Sequence, residues 1–313
     1  MASQPEPLAI TAARVVTPGG VLQNATLVTD GEHILDVTQH EPARGVTHLV
    51  FEDATLLPGF IDLHVHGGGG WRVGVDTDLL NRPDSHPDPL VNMSSFMAST
   101  GVTGFLPTLS TASKEEMLAT VTSVARLVGQ DLPGADVLGT HLEGPYLNVA
   151  RKGAQREEFI RPPNRAEFLE VWQASRGTAR YVTLAPELQG AAEFTEWLTG
   201  LGIFVSAGHT DARAEDMERA YAAGLQGVTH LFNAMRGLHH QQQFHEVLLR
   251  RRHQRLDDID VSLAAIGHQL RLQAVVAETR DLHRSSYDAE VGANLVSQRR
   301  MRRPRKHDDA LQG

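Results

Sequence analysis

The sequence contains no cysteine, which excludes a disulfide scaffold, a thiolate metal site and a cysteine nucleophile. It also lacks an apolar run of about 18 residues, so it predicts no membrane-spanning helix. Its first residues do not combine a basic segment with an apolar one, and we therefore expect no signal peptide and a cytoplasmic location. A net charge of −9 argues against generic binding to nucleic acid.

What the chain does contain is 16 histidines among 313 residues, of which 41% are apolar. This apolar content is sufficient for one large domain or two modest ones. Histidine is the commonest ligand for zinc and similar metals when thiolates are absent. The positions of the histidines in the sequence therefore decide whether they can form a metal site.

Two kinds of apolar pattern divide the chain. Residues 7–57 alternate apolar with polar residues, which predicts a small β domain over residues 1–57. From Pro58 onwards, continuous apolar runs end in polar or glycine-rich segments, as is typical of strands buried on both faces of a parallel sheet. Six such runs alternate with helical stretches, which predicts an α/β fold of the (β/α) barrel type over residues 58–240, with about six of the usual eight strands. The runs are 59–67, 101–109, 135–145, 180–187, 202–210 and 227–235.

One helix start carries a clear sequence signal. Ser113 and Glu116 have the spacing of a capping box, in which each side chain bonds the other residue's backbone N–H. The segment that follows, MLATVTSVARLV, is predicted to be helical, and Gly129 marks its end.

Histidines and one glutamate lie at or near the ends of four of these runs. His64 and His66 are two residues apart on one predicted strand, so their side chains point to the same side and can bind one metal ion. Glu143, His209 and His230 follow at the ends of three other strands. Taken singly, each has an ordinary structural explanation, as a solvated loop acid or a core histidine. A barrel would bring all five together at its mouth, which predicts a metal site there; His141 ranks lower as a ligand.

Four segments carry a more specific resemblance. They are LLPGFIDLHVHGGGG (56–70), GTHLEGPYLN (139–148), VSAGHT (205–210) and GVTHLFNAM (227–235). The first resembles the amidohydrolase superfamily as a whole. The other three together resemble, within that superfamily, the N-acetylglucosamine-6-phosphate deacetylases. The resemblance extends over residues 7–240.

The resemblance implies a set of roles. Glu143, His209 and His230 would bind the principal divalent metal ion, zinc or iron, and His64 and His66 a second ion in binuclear members. The residues that would contact an amino-sugar phosphate substrate are Ala154, Gln155, Asn233 and Ala234, with Gln155 standing where other members often carry histidine. The small β domain would be the partial sandwich that accompanies the barrel. The implied assembly is a homodimer, and the implied reaction releases glucosamine 6-phosphate and acetate.

The resemblance stops at Gln241. The family's phosphate-binding arginine and its proton-transferring aspartate should follow, and neither motif is found, so we expect activity to be impaired. Twelve of the 13 basic residues in 241–313 are arginine, and this tail carries a net charge of +3 against −12 for residues 1–240. The abrupt change suggests an altered reading frame after about residue 240, which sequencing of the gene around that codon tests.

Three alternatives stay open. Another amidohydrolase would share the His-x-His motif, although it should not combine HLEGP with THLFNAM. A non-catalytic metal-binding remnant would keep the ligands without the proton-transferring residue. A nucleic-acid binder using the basic tail is opposed by the acidic body of the chain.

Overall fold

The first four strands belong to one small sheet. They are β1 (Leu8–Thr17), β2 (Gly20–Thr29), β3 (Ile34–Thr38) and β4 (Thr47–Pro58). In this computed structural model, the described residues are 7–31, 33–74 and 88–237, together with the backbone strand 274–278. Strand β1 pairs antiparallel with β2 and parallel with β4. One face buries a small apolar cluster that includes Ile10, Val15, Leu27 and Leu56.

The second sheet is parallel, and its strands pair in the order of the sequence. It contains β5 (Phe60–Val65), β8 (Val102–Leu109), β10 (Thr140–Glu143), β11 (Ala179–Leu184), β12 (Phe204–Ala207) and β13 (Gly227–Val228), and β9 (Asp136–Val137) pairs with β8. A short hairpin of β6 (Gly67–Gly68) and β7 (Trp71–Arg72) follows β5. Every residue of β8 is buried, as expected for a strand covered on both faces. The expected α/β architecture with six parallel strands is confirmed.

In the described part of the chain, five α-helices connect the strands and cover the sheet. They are α1 (Pro89–Ser99), α2 (Lys114–Leu127), α3 (Arg165–Ala174), α4 (Ala191–Gly200) and α5 (Ala214–Ala222). The predicted capping box at the start of α2 is present, since Glu116 N donates to Ser113 Oγ at 3.2 Å and Ser113 N donates to Glu116 Oε2 at 3.1 Å. Phe168 of α3 and Phe194 of α4 pack edge to face in the core with ring centroids 5.8 Å apart. The ring contact packs α3 against α4 within the large core cluster.

Helix α3 ends in a Schellman motif with an unusual residue in it. Gly177 N donates to Trp172 O at 3.3 Å and Arg176 N donates to Gln173 O at 3.0 Å, the two bonds that define this motif. Arg176 occupies the left-handed position with φ 52°, where glycine carries no steric penalty.

We expect Arg176→Gly to raise the free energy of unfolding by about 0.5–1 kcal/mol, because it relieves the left-handed strain. The matched control is Gly177→Ala at φ 75°, which should lower it by a similar amount. Urea unfolding of the three proteins measures both changes. Equal midpoints for Arg176→Gly and the parent would contradict the expected strain.

The arginine-rich segment 241–313 lies outside the described residues except for one strand. Strand β14 (Ala274–Glu278) pairs antiparallel with β4 at the edge of the small sheet, a pairing that no sequence pattern predicted. The proposed domain division at residues 57 and 240 and the altered reading frame stay predictions. Within the described part of the chain, no helix combines the length and apolarity needed to cross a membrane.

Candidate metal centre

All five predicted ligands lie along one edge of the parallel sheet. His64 lies on β5 and His66 just beyond it, and Glu143 is the last residue of β10. His209 and His230 lie just beyond the ends of β12 and β13. Because the strands are parallel, their carboxyl ends meet at the same edge, which is where β/α barrels place their active sites.

The carboxylate of Glu143 is the common centre of this cluster. Its Oε1 atom lies 3.1 Å from His209 Nε2, 2.9 Å from His230 Nε2 and 3.7 Å from His64 Nε2. Its Oε2 atom lies 3.0 Å from His66 Nε2. The residues therefore form two groups of three potential ligands that share Glu143, one with His64 and His66 and one with His209 and His230.

Backbone carbonyl oxygens decide which nitrogen of three of the imidazoles faces the cluster. The Nδ1 atom of His66 lies 2.9 Å from Thr108 O, that of His209 lies 3.0 Å from Arg151 O, and that of His230 lies 3.1 Å from Asn233 O. A carbonyl oxygen can only accept, so each Nδ1 carries a hydrogen and the neutral ring presents a lone pair at Nε2. This arrangement is typical of metal-binding histidines.

The donor set fits a divalent cation. Nε2 lone pairs of His209 and His230 lie 3.1 Å apart beside a buried carboxylate, an arrangement that is repulsive unless positive charge lies between them. Imidazole nitrogen with carboxylate oxygen is a donor set that zinc and iron accept. His64 Nδ1 is buried and has no hydrogen-bond partner within the described residues, so no backbone carbonyl fixes the tautomer of this ring as one does for the other three.

The pKa shifts point to the same need for positive charge. Burial alone would raise the pKa of the Glu143 carboxyl, but hydrogen bonds with His209, His230 and His66 hold it well below its usual range. The pairing with Glu143 raises the pKa values of His66 and His230. Burial is the largest influence on His64 and lowers its pKa. Without a cation, the cluster thus recruits protons to the imidazoles that pair with Glu143.

The backbone is strained at two of the ligands. His209 has φ 48° and His230 has φ 36°, and Phe232 and Ala234 in the loop after β13 also have positive φ values. Such conformations cost of order 1–3 kcal/mol each and persist only where surrounding contacts impose them. Here the two ligand loops are bonded to each other, since Thr210 N donates to Ala234 O at 3.2 Å. The strain is concentrated where ligand geometry must be held.

An ion-pair cluster supports the loop that carries His209. Asp211 accepts from Arg151 at 2.7 Å and from Arg236 at 2.5 Å, and Arg236 lowers the pKa of Asp211. The Glu187 carboxylate accepts from Asp211 N at 2.7 Å. The guanidinium of Arg236, although near the site, is therefore engaged by Asp211.

The four predicted substrate contacts lie around the same edge. Ala154 and Asn233 are exposed, and Ala234 is half-buried. Gln155 is buried, and its Nε2 atom donates to Glu143 Oε2 at 2.7 Å. Their contacts with a substrate stay predictions, whereas the bond from Gln155 to the carboxylate was not foreseen.

His141 lies beneath the cluster and not in it. Its Nδ1 atom donates to Leu63 O at 2.9 Å, and its Nε2 atom accepts from the Thr183 hydroxyl at 2.8 Å. Thr183 Oγ1 lies 2.7 Å from Thr229 Oγ1, so a buried chain of hydroxyls extends towards β13. Burial lowers the pKa of His141 to about 3, so the ring is neutral. Both nitrogens are engaged, so neither offers a lone pair to a metal ion. No pattern in the sequence indicates the chain of hydroxyls.

A parallel β/α sheet with a histidine–carboxylate cluster at its carboxyl edge is typical of metal-dependent hydrolases of the β/α-barrel class. The chain belongs to the amidohydrolase family, whose sequence profile matches residues 55–288, more than half of its length. The matched range extends past residue 240, where the deacetylase motifs are no longer found. Members of this family depend on metal ions, and the described His/Glu groups are able to bind them.

Several proteins of known activity or structure resemble the chain. The N-acetylglucosamine-6-phosphate deacetylase of Vibrio furnissii is 36% identical over 232 residues, which cover 73% of this chain and 56% of that protein. The N-acetylgalactosamine-6-phosphate deacetylase of Escherichia coli O157:H7 is 38% identical over 191 residues, covering 61% and 48%. A mutant of the Mycobacterium smegmatis N-acetyl-D-glucosamine-6-phosphate deacetylase, solved in complex with N-acetyl-D-glucosamine-6-phosphate, superposes with a TM-score of 0.65 at 31% identity, covering 76% and 58%. The chain thus spans about half the length of these relatives.

Proposed function

We propose that the chain derives from an enzyme that removes the acetyl group of N-acetylglucosamine 6-phosphate and releases glucosamine 6-phosphate and acetate. The observation that carries this proposal is the Glu143 carboxylate shared between two pairs of imidazoles at the carboxyl edge of the sheet. The resemblance to deacetylases with this substrate in their names supports it.

The proposed ligands are Glu143, His209 and His230 for the principal ion, with His64 and His66 for a second. These residues would hold a divalent cation, which would lower the pKa of a bound water to about 7 and polarise the carbonyl oxygen of an amide. The protein contributes the geometry: backbone carbonyls orient the imidazoles, and the buried Glu143 supplies negative charge. The side chain of His66 is 42% exposed while that of Glu143 is 2% exposed, so the substrate would approach from the His66 side.

The proposed reaction needs a proton donor and a phosphate-binding residue, and no described residue is assigned to either role. An acid must protonate the leaving amine, and in the described cluster Glu143 is already surrounded by imidazoles. An arginine must bind the sugar phosphate, whereas Arg236 is engaged by Asp211. Because the family motifs for both are missing after residue 240, we propose that this chain works poorly. General acid–base catalysis contributes about 10²–10⁴-fold to rates, which sets the scale of the deficit.

The test is release of acetate from N-acetylglucosamine 6-phosphate, with zinc or iron(II) added to the metal-depleted protein. We expect slow, metal-dependent turnover, about 10²–10⁴-fold below that of the Vibrio furnissii relative assayed in parallel. A rate equal to that of the relative would contradict the proposed impairment. Metal-independent hydrolysis would contradict the proposed site.

The 4-epimer, N-acetylgalactosamine 6-phosphate, is the second candidate substrate. The observation in its favour is the 38% identity to the Escherichia coli relative that carries its name. Both epimers therefore belong in the assay. Bound metal without turnover on either would favour the non-catalytic remnant. The cytoplasmic location and the homodimer stay predictions.

A further inference from the structure

Gln155 has a bond that its predicted substrate role does not explain. The residue is 6% exposed, and its side chain lies between the backbone of Thr111 and the carboxylate of Glu143. Thr111 N donates to Gln155 Oε1 at 2.7 Å, and Gln155 Nε2 donates to Glu143 Oε2 at 2.7 Å. Both bonds are short, and both are buried.

The orientation of the Gln155 amide follows from its partners. Thr111 N–H can only donate, so the atom facing it must be the carbonyl oxygen of the amide. The NH₂ group must then face Glu143, whose ionised carboxylate can only accept. A flip of the amide would place two donors against each other at Thr111 and two acceptors against each other at Glu143. Gln155 is thereby fixed by the backbone of a different strand end.

The bond from Gln155 restricts the one torsion of Glu143 that decides which oxygen faces which histidine. Rotation of a carboxylate about its last carbon–carbon bond is soft, because sp³–sp² torsions have broad minima. In the structure, Oε1 faces His209 and His230, while Oε2 faces His66 at 3.0 Å. Gln155 approaches Oε2 from the loop after β10, which holds that oxygen towards the His66 group.

The loop that delivers Gln155 is itself well held. Gln155 N donates to Lys152 O at 2.9 Å, and a 3₁₀ turn at Val149–Arg151 precedes it. Asn148 caps that turn, since its Oδ1 accepts from Ala150 N at 2.8 Å. The amide is therefore placed by ordered backbone.

We propose that Gln155 is a positioning residue that acts through Glu143 and sets the affinity of the metal centre for its cation. This inference rests on the proposal that the cluster binds a divalent cation. Partners that hydrogen-bond to metal ligands typically account for about 10–100-fold in metal affinity. The second N–H of the Gln155 amide faces His209, whose Nε2 lies 3.5 Å from Gln155 Nε2, so the side chain has little capacity for a substrate.

The test compares Gln155→Met and Gln155→Asn with the parent. Methionine has similar volume and lacks both bonds, and asparagine keeps the amide but is too short to bridge Thr111 and Glu143. The matched control is Gln173→Met, the same change at an exposed position on α3. Zn²⁺ dissociation constants come from competition with a chromophoric chelator, and the visible spectrum of bound Co²⁺ reports ligand geometry.

Both Gln155 variants should bind Zn²⁺ about 10–100-fold more weakly than the parent and change the Co²⁺ spectrum, while the control changes neither. If methionine prevents folding, the asparagine variant carries the same expectation. A folded variant that binds Zn²⁺ within about twofold of the parent, with the same Co²⁺ spectrum, would overturn the role of Gln155 alone. A parent chain that binds neither ion would overturn the metal assignment as well.

Discussion

Replacing Glu143 by glutamine is expected to remove tight cation binding from both ligand groups of the metal centre at once. The reason is that one carboxylate serves both groups, with Oε1 facing His209 and His230 and Oε2 facing His66. A neutral amide supplies no negative charge, and its NH₂ group points a donor at imidazole lone pairs. No other change of one residue in the described cluster affects both groups directly.

The loss should exceed the roughly 10–100-fold that follows removal of a partner behind a metal ligand, because Glu143 is a proposed ligand itself. Zn²⁺ competition against a chelator measures it. Circular dichroism establishes that the variant is folded. The control is Glu170→Gln, the same chemical change on the exposed Lys114–Glu170 pair, where the surface ion pair is worth little.

Parent-like Zn²⁺ affinity in folded Glu143→Gln would show that the imidazoles suffice without the carboxylate. Retention of one bound ion and loss of the other would assign Glu143 to a single group. Either result would contradict the shared carboxylate on which the proposed function depends.

The predictable parts of the fold are those that depend on the sequence pattern within a single segment. The largely apolar run 101–109 contains β8, which is buried throughout, and Ser113 with Glu116 formed the predicted capping box. The alignment of strand ends followed from parallel topology, which is why ligands far apart in the sequence were expected at one edge. The periodicity of apolar residues and the spacing of capping residues are enough to predict these features from the sequence.

The parts that were not predictable depend on which backbone atoms arrive from distant segments. Nothing in the sequence around Gln155 indicates that Thr111 N–H fixes its amide, and nothing around His209 indicates that Arg151 O selects its tautomer. The positive φ of His209 is likewise imposed by tertiary contacts against local preference. A histidine pattern therefore predicts where ligands gather, and only the packed backbone shows how they are held.

His141 lies below the metal centre and connects strands that carry its ligands. It is 1% exposed and joins three strands, donating to Leu63 O on β5 and accepting from Thr183 on β11 while lying itself on β10. Its ring also packs against Tyr181 with centroids 4.1 Å apart. Leu63 directly precedes His64, so this bond fixes the position of β5 relative to β10 next to a proposed metal ligand.

We expect His141→Leu to lower the free energy of unfolding by roughly 2–4 kcal/mol, since each buried partner left unsatisfied costs about 1–3 kcal/mol. Leucine has similar volume, so the loss reports the hydrogen bonds more than a cavity. The Leu63 carbonyl would lose its bond from Nδ1, and the hydroxyl of Thr183 would lose its bond to Nε2 and keep only its hydroxyl partners. Urea unfolding of the metal-free protein measures the change.

The matched control is His40→Leu at an exposed position of the small β domain, where the change should stay within about 0.5 kcal/mol. The mechanism also predicts a second effect, weaker Zn²⁺ binding by the folded His141→Leu protein, because β5 loses its link to β10 next to His64. A variant as stable as the parent would show that the Leu63 carbonyl finds another donor. A destabilised variant with unchanged Zn²⁺ affinity would show that His141 stabilises the sheet but does not position the metal ligands.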